Sequence, residues 1–168
     1  MALKADRHEE TTDISFFYNA GTATRGGVVV LADLGLASGA ALDQGENLVA
    51  YADATATSVP VGILLNDVVN KDLTRTHVNH HKDEVQKGGK VTLLQRGWVV
   101  PSNLEGTDPN GGDLAYLAHS GNLASSNIGG TDSAEKMVVG RFLSDVDEDG
   151  YAKVFIDLPN TNWNISHI

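Results

Sequence analysis

Two short runs near the end of the chain, Met137-Val-Val-Gly-Arg-Phe-Leu-Ser144 and Tyr151-Ala-Lys-Val-Phe-Ile-Asp-Leu158, flank the sequence Asp145-Val-Asp-Glu-Asp-Gly150. Both runs are rich in β-branched and aromatic residues, which favour strands. An Asp-Gly pair between two such runs is typical of a hairpin turn. The sequence therefore predicts a β-hairpin over residues 137–158, and this hairpin points to the fold class of the whole chain.

The rest of the chain repeats the same pattern of short apolar runs separated by clusters of Gly, Asn, Asp and Ser. These clusters recur too often for helices of ordinary length to fit between them. The sequence therefore predicts an all-β fold, a small β-barrel or sandwich. A short helix over residues 40–44 or within residues 73–86 remains the local alternative. The predicted strands are Ile14–Tyr18, Gly27–Leu31, Asn47–Tyr51, Val61–Leu65, Lys90–Gln95, Trp98–Val100, Leu114–Ala118, Met137–Leu143 and Tyr151–Leu158.

The length of 168 residues fits one domain with extended ends. Residues 1–13 are rich in charge and poor in apolar side chains, so we expect an N-terminal arm that is exposed or ordered by a partner. The β-rich domain is predicted over residues 14–158, with a polar insertion at about residues 66–87.

The last ten residues, 159–168, form a predicted C-terminal tail with Trp163, Ile165 and Ile168 on a polar, Asn-rich background. A solvated tail seldom keeps such large apolar groups. We therefore expect this tail to dock on a neighbouring molecule.

The composition excludes several kinds of chemistry and partner. The chain has no Cys, which rules out disulfides, thiolate metal sites and a cysteine nucleophile. Its formal net charge of −10 opposes general nucleic-acid binding, because phosphate contacts need clustered Lys and Arg. No run approaches about 18 apolar residues, and the charged start lacks the pattern of an export signal, so we expect a soluble chain without membrane partners.

The charge is distributed unevenly along the sequence. Residues 1–70 hold nine acids and three bases, and residues 101–168 hold ten acids and three bases. Residues 71–100 reverse the balance, with three acids and six bases. The molecule is therefore expected to be polarised, and a basic surface of this kind can orient it on an acidic partner.

Two groups of residues resemble metal sites but each lacks a necessary ligand. His77, His80 and His81 lie close enough in sequence to chelate an ion, but no third ligand follows at a defined spacing. The Asp145–Gly150 segment matches the first half of an EF-hand loop, but position twelve, where a Glu is required, is Ile156. We interpret the histidines as a solvated or interface loop and the acidic segment as a hairpin turn, and we expect no cofactor.

Motifs for nucleophilic or phosphate chemistry are also missing. The sequence has neither a Gly-x-Ser-x-Gly elbow nor a complete phosphate-binding loop. The segment Gly21-Thr-Ala-Thr-Arg-Gly26 has two suitably spaced glycines but lacks the Lys and the hydroxyl residue that should follow. The glycine-rich stretches therefore favour turns, and no catalytic residue is predicted.

The order of four segments carries a family resemblance. They are Ala20-Gly-Thr-Ala-Thr-Arg-Gly-Gly-Val-Val-Val30, Ala52-Asp-Ala-Thr-Ala-Thr-Ser-Val-Pro-Val-Gly-Ile-Leu-Leu-Asn-Asp-Val68, Gly89-Lys-Val-Thr-Leu-Leu-Gln-Arg-Gly-Trp-Val-Val-Pro-Ser-Asn-Leu104 and Asp113-Leu-Ala-Tyr-Leu-Ala118 before the closing hairpin. This order resembles the capsid decoration, or cement, proteins of tailed bacteriophages over roughly residues 20–158. The polar insertion and the Trp-containing tail depart from the compact family pattern.

The resemblance implies a small β-barrel that binds the outside of a viral head and reinforces the contacts between major capsid proteins, with no catalysis. It implies a virion component that is assembled in the host cytoplasm, with the major capsid protein and further copies of itself as partners. A homotrimer is expected by similarity to lambda-type decoration proteins, and a dimer is the alternative.

Three groups of residues are predicted to bind the capsid or another partner. They lie near the N-terminal arm, in the basic segment and in the tail. The residues are Ile14, Phe16 and Phe17; Lys71, Arg75, Lys82, Lys87 and Lys90; and Trp163, Ile165 and Ile168.

Two other classes of function compete with this hypothesis. A carbohydrate-binding or adhesin-like β-domain would use Trp98 or Trp163 as a platform for a sugar, but aromatic residues make up only 6% of the chain and do not cluster. A metal-dependent enzyme would be built on the weak metal candidates His77, His80 and His81.

Overall fold

The computed structural model describes residues 3–21, 23–32, 47–51, 59–65, 70–71, 78–79, 84–85, 87–126 and 137–159. In these ranges the chain forms β-strands and one short 3-10 helix, His119–Gly121. The strands are β1 His8–Asp13, β2 Phe17–Tyr18, β3 Ala23–Thr24, β4 Val28–Leu31, β5 Leu48–Tyr51, β6 Pro60–Leu64, β7 Asn70–Lys71, β8 Val78–Asn79, β9 Glu84–Val85, β10 Leu93–Val99, β11 Leu114–Leu117, β12 Leu123–Ala124, β13 Val138–Phe142 and β14 Val154–Asp157. The predicted all-β class is confirmed. No helix in these ranges is long and apolar enough to cross a membrane.

Most strands belong to one mixed sheet with the order β12-β11-β13-β14-β10-β6-β4-β5-β2, and β1 pairs with β10 beside this path. Two short pairs, β3 with β9 and β7 with β8, stand apart. The β2–β5 pair is parallel, whereas β13 and β14 form the antiparallel hairpin predicted from the sequence. In this hairpin Phe142 pairs with Val154 and Gly140 pairs with Ile156.

Strand β10 joins the two halves of the sheet. Near its start Leu93 pairs with Leu64 of β6, and at its end Val99 pairs with Val154 of β14. Strand β1 runs along β10 from Asp13, opposite Leu93, to His8, opposite Trp98. The sequence predicted two separate runs in this region, but β10 is continuous between them and passes through Gly97 at φ 138°.

Hydrogen bonds next to β10 close one half of the sheet into a small barrel. The Tyr18 amide donates to the Gly89 carbonyl (3.0 Å), and the Val91 amide donates to the Phe16 carbonyl (3.0 Å). These bonds join β2 to the segment that leads into β10. The strands β2, β5, β4, β6 and β10 therefore form a closed ring, which removes the free edges of this half.

The central strands separate two hydrophobic cores. Val28 and Val30 of β4 pack in the core beneath the β10–β14 half, whereas Val29 between them packs inside the barrel. In β6, Ile63 and Leu64 divide between the two cores in the same way. Because both faces of these strands are buried, their sequences are continuous apolar runs instead of alternating ones.

The N-terminal segment is part of the sheet from early in the chain. Leu3 is buried and forms a bridge with Pro101, and β1 begins at His8. The sequence led us to expect regular structure from Ile14 onward, but it starts earlier. The polar side chains of β1 allow this strand to lie at a solvated edge of the sheet. The division into arm, domain and tail stays a prediction, and residues 160–168 and most of 66–87 lie outside the described ranges.

Candidate partner-binding surfaces

The three predicted N-terminal residues differ in exposure. The Ile14 side chain is 59% exposed and lies between β1 and β2. Phe16 is partly buried and packs against the barrel core, and Phe17 in β2 is also partly buried. Ile14 therefore has the most exposed side chain of this group, while Phe16 contributes to the packing of the barrel core.

The predicted basic group is described only in part. Lys87 and Lys90 are exposed. They lie on either side of Gly88 and Gly89, whose backbones are hydrogen-bonded to the backbone of Tyr18 in β2. Lys71 lies in β7. Arg75 and Lys82 lie outside the described residues, as do the metal candidates His77, His80 and His81.

The tail residues Trp163, Ile165 and Ile168 lie outside the described ranges too, so their docking stays a prediction. Within the described ranges no group of three or more His, Asp or Glu side chains is arranged to hold a metal ion.

The acidic turn of the hairpin is organised by its own carboxylates. Asp147 Oδ1 accepts hydrogen bonds from the amides of Asp149 (3.1 Å) and Tyr151 (2.8 Å), and Asp145 Oδ1 accepts one from the amide of Gly111 (2.8 Å). Ile156, at the position where an EF-hand needs its Glu, is buried in β14. This geometry agrees with the interpretation of the segment as a turn.

A basic residue of the N-terminal segment completes this turn. Lys4 Nζ lies 2.5 Å from Asp147 Oδ2 and 4.5 Å from the centroid of the Tyr151 ring. The hydrogen bond to Asp147 raises the pKa of Lys4, and the same bond, followed by the bond from the Tyr151 amide, lowers the pKa of Asp147. The contact fastens the start of the chain to the hairpin.

Strand β1 forms a solvated edge of the sheet. Its residues His8–Thr12 are all exposed, and among the described strands its one partner is β10. Glu10 forms an ion pair with Arg96 of β10 (3.0 Å), and Arg96 also lies 4.0 Å from Asp157 of β14. Charged side chains on an exposed edge discourage uncontrolled pairing with other chains.

One row of side chains crosses the outward face of the sheet. In register, His8 pairs with Trp98, Trp98 with Phe155, Phe155 with Arg141, and Arg141 with Leu114. None of these five side chains is buried. The row spans five neighbouring strands, or about 19 Å at the usual strand spacing.

The faces of the Trp98 indole are approached by side chains of the same chain. Lys153 Nζ lies 3.4 Å from the centroid of the Trp98 ring system. The His8 ring stacks on Trp98 with a centroid separation of 6.5 Å and an interplanar angle of 28°. Two side chains of the same chain therefore lie against the indole, and this arrangement does not favour Trp98 as a platform for a sugar.

Lys153 and Leu143 extend this row on the same face. Leu143 follows β13 and is 48% exposed, and its amide donates to the Lys153 carbonyl (2.7 Å). We call the set of Trp98, Arg141, Leu143, Lys153 and Phe155 the outer patch. The prediction from sequence did not include the outer patch as a binding surface. Its signal was present in the hairpin, because Lys153 and Phe155 alternate with the buried Val154 and Ile156.

Comparison with known proteins gives one informative match. Residues 7–157 match the model of the family described as "Structural cement protein (E217 gp24/Pam3 gp6)". A search of curated proteins finds no match. The matched range extends from the start of β1 to the end of β14, and so it includes the barrel, the second half of the sheet and the outer patch.

The match agrees with the resemblance that was visible in the glycine and valine runs, and it gives no support to a carbohydrate-binding function. Proteins of this family have a structural role in the virion and associate with capsid proteins. The chain therefore belongs to the phage structural cement protein family and is a capsid cement, or decoration, protein.

Proposed function

We propose that the chain binds the outer surface of a phage head and reinforces the contacts between major capsid proteins, without catalysis. The family match over residues 7–157 carries this proposal. The fold supports it, because a closed barrel and a second buried core give a stiff body whose surfaces keep fixed relative positions. A stiff body can transmit force between two capsid subunits that it contacts.

The arrangement favours several modest contacts over one deep site. The exposed edge strand β1, Ile14 and the pair Lys87 and Lys90 lie on different parts of the described surface. When several weak contacts act together on one lattice, each later contact forms intramolecularly and the total affinity rises by orders of magnitude. Strong attachment then needs no single high-affinity pocket.

We extend the proposal to the basic group and the tail. Lys71, Arg75, Lys82, Lys87 and Lys90 are proposed to face an acidic part of the capsid, and Trp163, Ile165 and Ile168 are proposed to dock on a neighbouring subunit. Apolar docking of this kind contributes about 25 cal/mol for each Å² buried, before the cost of ordering the tail.

We also propose that the chain acts as a homotrimer on the capsid exterior, after assembly in the host cytoplasm. Size-exclusion chromatography with light scattering measures the mass of the purified chain and separates trimer from dimer and monomer. Proteolysis of intact virions tests the exterior location, because a bound exterior protein is cleaved while the capsid interior is protected.

The main test uses phage heads that lack this chain. Purified chain is added back, and occupancy is measured by co-sedimentation and electron microscopy, together with the temperature at which heads release DNA. We expect saturable binding and a higher release temperature. Heads that neither bind the chain nor gain heat resistance would show that the proposed function is wrong.

The tail is tested in the same assay by deleting residues 160–168. We expect lower occupancy at equal protein concentration, while the unfolding temperature of the free protein changes little. Undiminished occupancy would remove the tail from the proposal and leave the rest of it intact.

A further inference from the structure

We propose that the outer patch binds an acidic segment of the major capsid protein. The proposal rests on the proposed function, since it assigns one surface and one partner chemistry to the attachment of the chain to the capsid. Four observations support it. They are the continuity of the patch, its charge, its partly exposed apolar centre, and the lack of carboxylate partners for its two cations among the described residues.

The patch is continuous across the sheet. Trp98 on β10 pairs with Phe155 on β14, which pairs with Arg141 on β13. Lys153 lies two residues before Phe155, and its ammonium group lies over the Trp98 ring. Side chains that face each other on adjacent strands have Cβ atoms about 5 Å apart, so these groups form one surface.

The charge of the patch is opposite to that of its surroundings. Residues 101–168 hold ten acidic residues and only three basic ones, Lys136, Arg141 and Lys153. Two of these three bases lie in the outer patch, Arg141 in β13 and Lys153 directly before β14 of the same hairpin. On an acidic molecule, such a local positive surface selects and orients an acidic partner.

These two cations have no carboxylate partner within the described part of the chain. Arg141 Nη1 donates to the Gly112 carbonyl, and Lys153 contacts the Trp98 ring. Arg96, by contrast, already pairs with Glu10 and lies near Asp157. Arg141 and Lys153 can therefore donate hydrogen bonds to the carboxylates of a partner without breaking an internal ion pair.

The centre of the patch is apolar and partly exposed. Leu143 is 48% exposed, and Trp98 and Phe155 are partly exposed beside it. Trp and Arg are enriched among the residues that dominate protein interfaces, especially where an apolar centre is surrounded by polar groups. This composition favours a protein segment that carries acidic residues together with apolar ones.

Charge reversal at the two cations tests the proposal directly. Full-length R141E/K153E and the control R7E/R96E carry the same change in net charge, and Arg7 and Arg96 are partly exposed cations outside every proposed binding group. Both variants and the unmodified chain are titrated onto phage heads that lack the chain, and circular dichroism and thermal unfolding verify the fold. We expect R141E/K153E to bind at least tenfold more weakly than the unmodified chain, and R7E/R96E to lose less affinity.

A second variant keeps the test decisive if R141E/K153E does not fold. L143Q changes an exposed apolar side chain without altering charge, and we expect it to weaken binding several-fold. Binding by a folded R141E/K153E variant equal to or stronger than that of R7E/R96E would overturn the proposal. If the unmodified chain itself does not bind, the proposed function fails, which is a different result.

Cross-linking identifies the partner chemistry. A carbodiimide joins a lysine amine to a nearby carboxylate with no spacer, and mass spectrometry of decorated heads locates the link. We expect a link from Lys153 to an Asp or Glu of the major capsid protein, and its loss in K153R. A link from Lys153 only to another copy of this chain would show that the outer patch is a contact between cement subunits and would overturn the proposal.

Discussion

Lys4 and Asp147 are 143 positions apart in the sequence, yet Lys4 Nζ lies 2.5 Å from Asp147 Oδ2. The other oxygen of the same carboxylate accepts the amides of Asp149 and Tyr151 and so shapes the hairpin turn. Asp147 therefore has two separable functions. It organises the turn locally, and it fastens the N-terminal segment to the hairpin.

Substitution of Asp147 should separate these two functions. Asn keeps an oxygen that accepts the two backbone amides but loses the ion pair, so D147N should free mainly the N-terminal segment. Ala loses both interactions, so D147A should lower the unfolding temperature more than D147N does. Hydrogen exchange at residues 3–7, measured beside thermal unfolding, provides the check, and equal effects of the two variants would contradict this division.

The Lys4–Asp147 contact should depend on pH in a defined direction. The pKa of Asp147 is lowered from 3.8 in the folded protein, so its contribution is present above that value and is lost as the pH falls through the folded pKa. The pKa of Lys4 is raised from 10.5, so its contribution is lost only in strong alkali. Faster exchange at residues 3–7 should therefore appear below about pH 4. D147N should not show this acid-dependent increase.

Substitution of Gly97 should detach β1 from β10. A Cβ at this position would collide with the carbonyl oxygen of His8, and the backbone φ of 138° already disfavours other residues. We expect G97A to destabilise the protein by about 2–4 kcal/mol. Gly112 is the matched control, because its φ is also positive (102°) but a Cβ there meets no atom within 4 Å. G112A should cost about 1 kcal/mol, and chemical denaturation of both variants measures the difference.

Removal of the Tyr51 hydroxyl should weaken the junction between β3 and β5. Tyr51 Oη accepts the Thr24 amide (2.5 Å) and donates to the Thr24 carbonyl (3.1 Å), while the ring lies against Gly27 and Gly121. Y51F keeps the ring but leaves a partly buried amide without its acceptor, which costs about 1–2 kcal/mol. Denaturant unfolding measures the loss, and an unchanged midpoint would mean that water replaces the hydroxyl.

The barrel core should lose stability in alkali. Burial, and next the neighbouring Tyr51, raise the pKa of Tyr18 to about 12 from an ordinary value of 10.0. The unfolded chain therefore loses this proton first, and stability should fall as the pH rises from about 10 to 12. Unfolding measured across this range should show a weaker pH dependence in Y18F. An equal dependence in Y18F would assign the effect to other groups.

Sequence patterns were most reliable for local structure. The β13–β14 hairpin was predicted because its two strands and its turn are adjacent in the chain, and the turn preference of Asp and Gly is a local property. Strand β1 was interpreted as an arm because His8–Asp13 is polar on every face, which the pattern of an isolated segment cannot distinguish from a solvated edge strand.

The candidate site was less predictable for a related reason. Phe16 was grouped with the binding residues because it is large, apolar and near a charged segment, but the structure packs it against the barrel core. Arg141 and Lys153 were overlooked because each is one base in an acidic stretch. Their proximity depends on the pairing of β13 with β14 and of β14 with β10, which places Arg141 opposite Phe155 and Lys153 over the Trp98 ring.

The sequence by itself determined the class of the fold, the position of most described strands and the resemblance to cement proteins, because β-branched runs and glycine turns act over a few residues. Only the tertiary structure decided that β1 lies on β10, that β4 and β6 separate two cores, and that aromatic and basic side chains from β10, β13 and β14 form one outward patch. These features arise from pairing between distant segments. Such pairing depends on register and on burial of both sheet faces, which no single segment specifies.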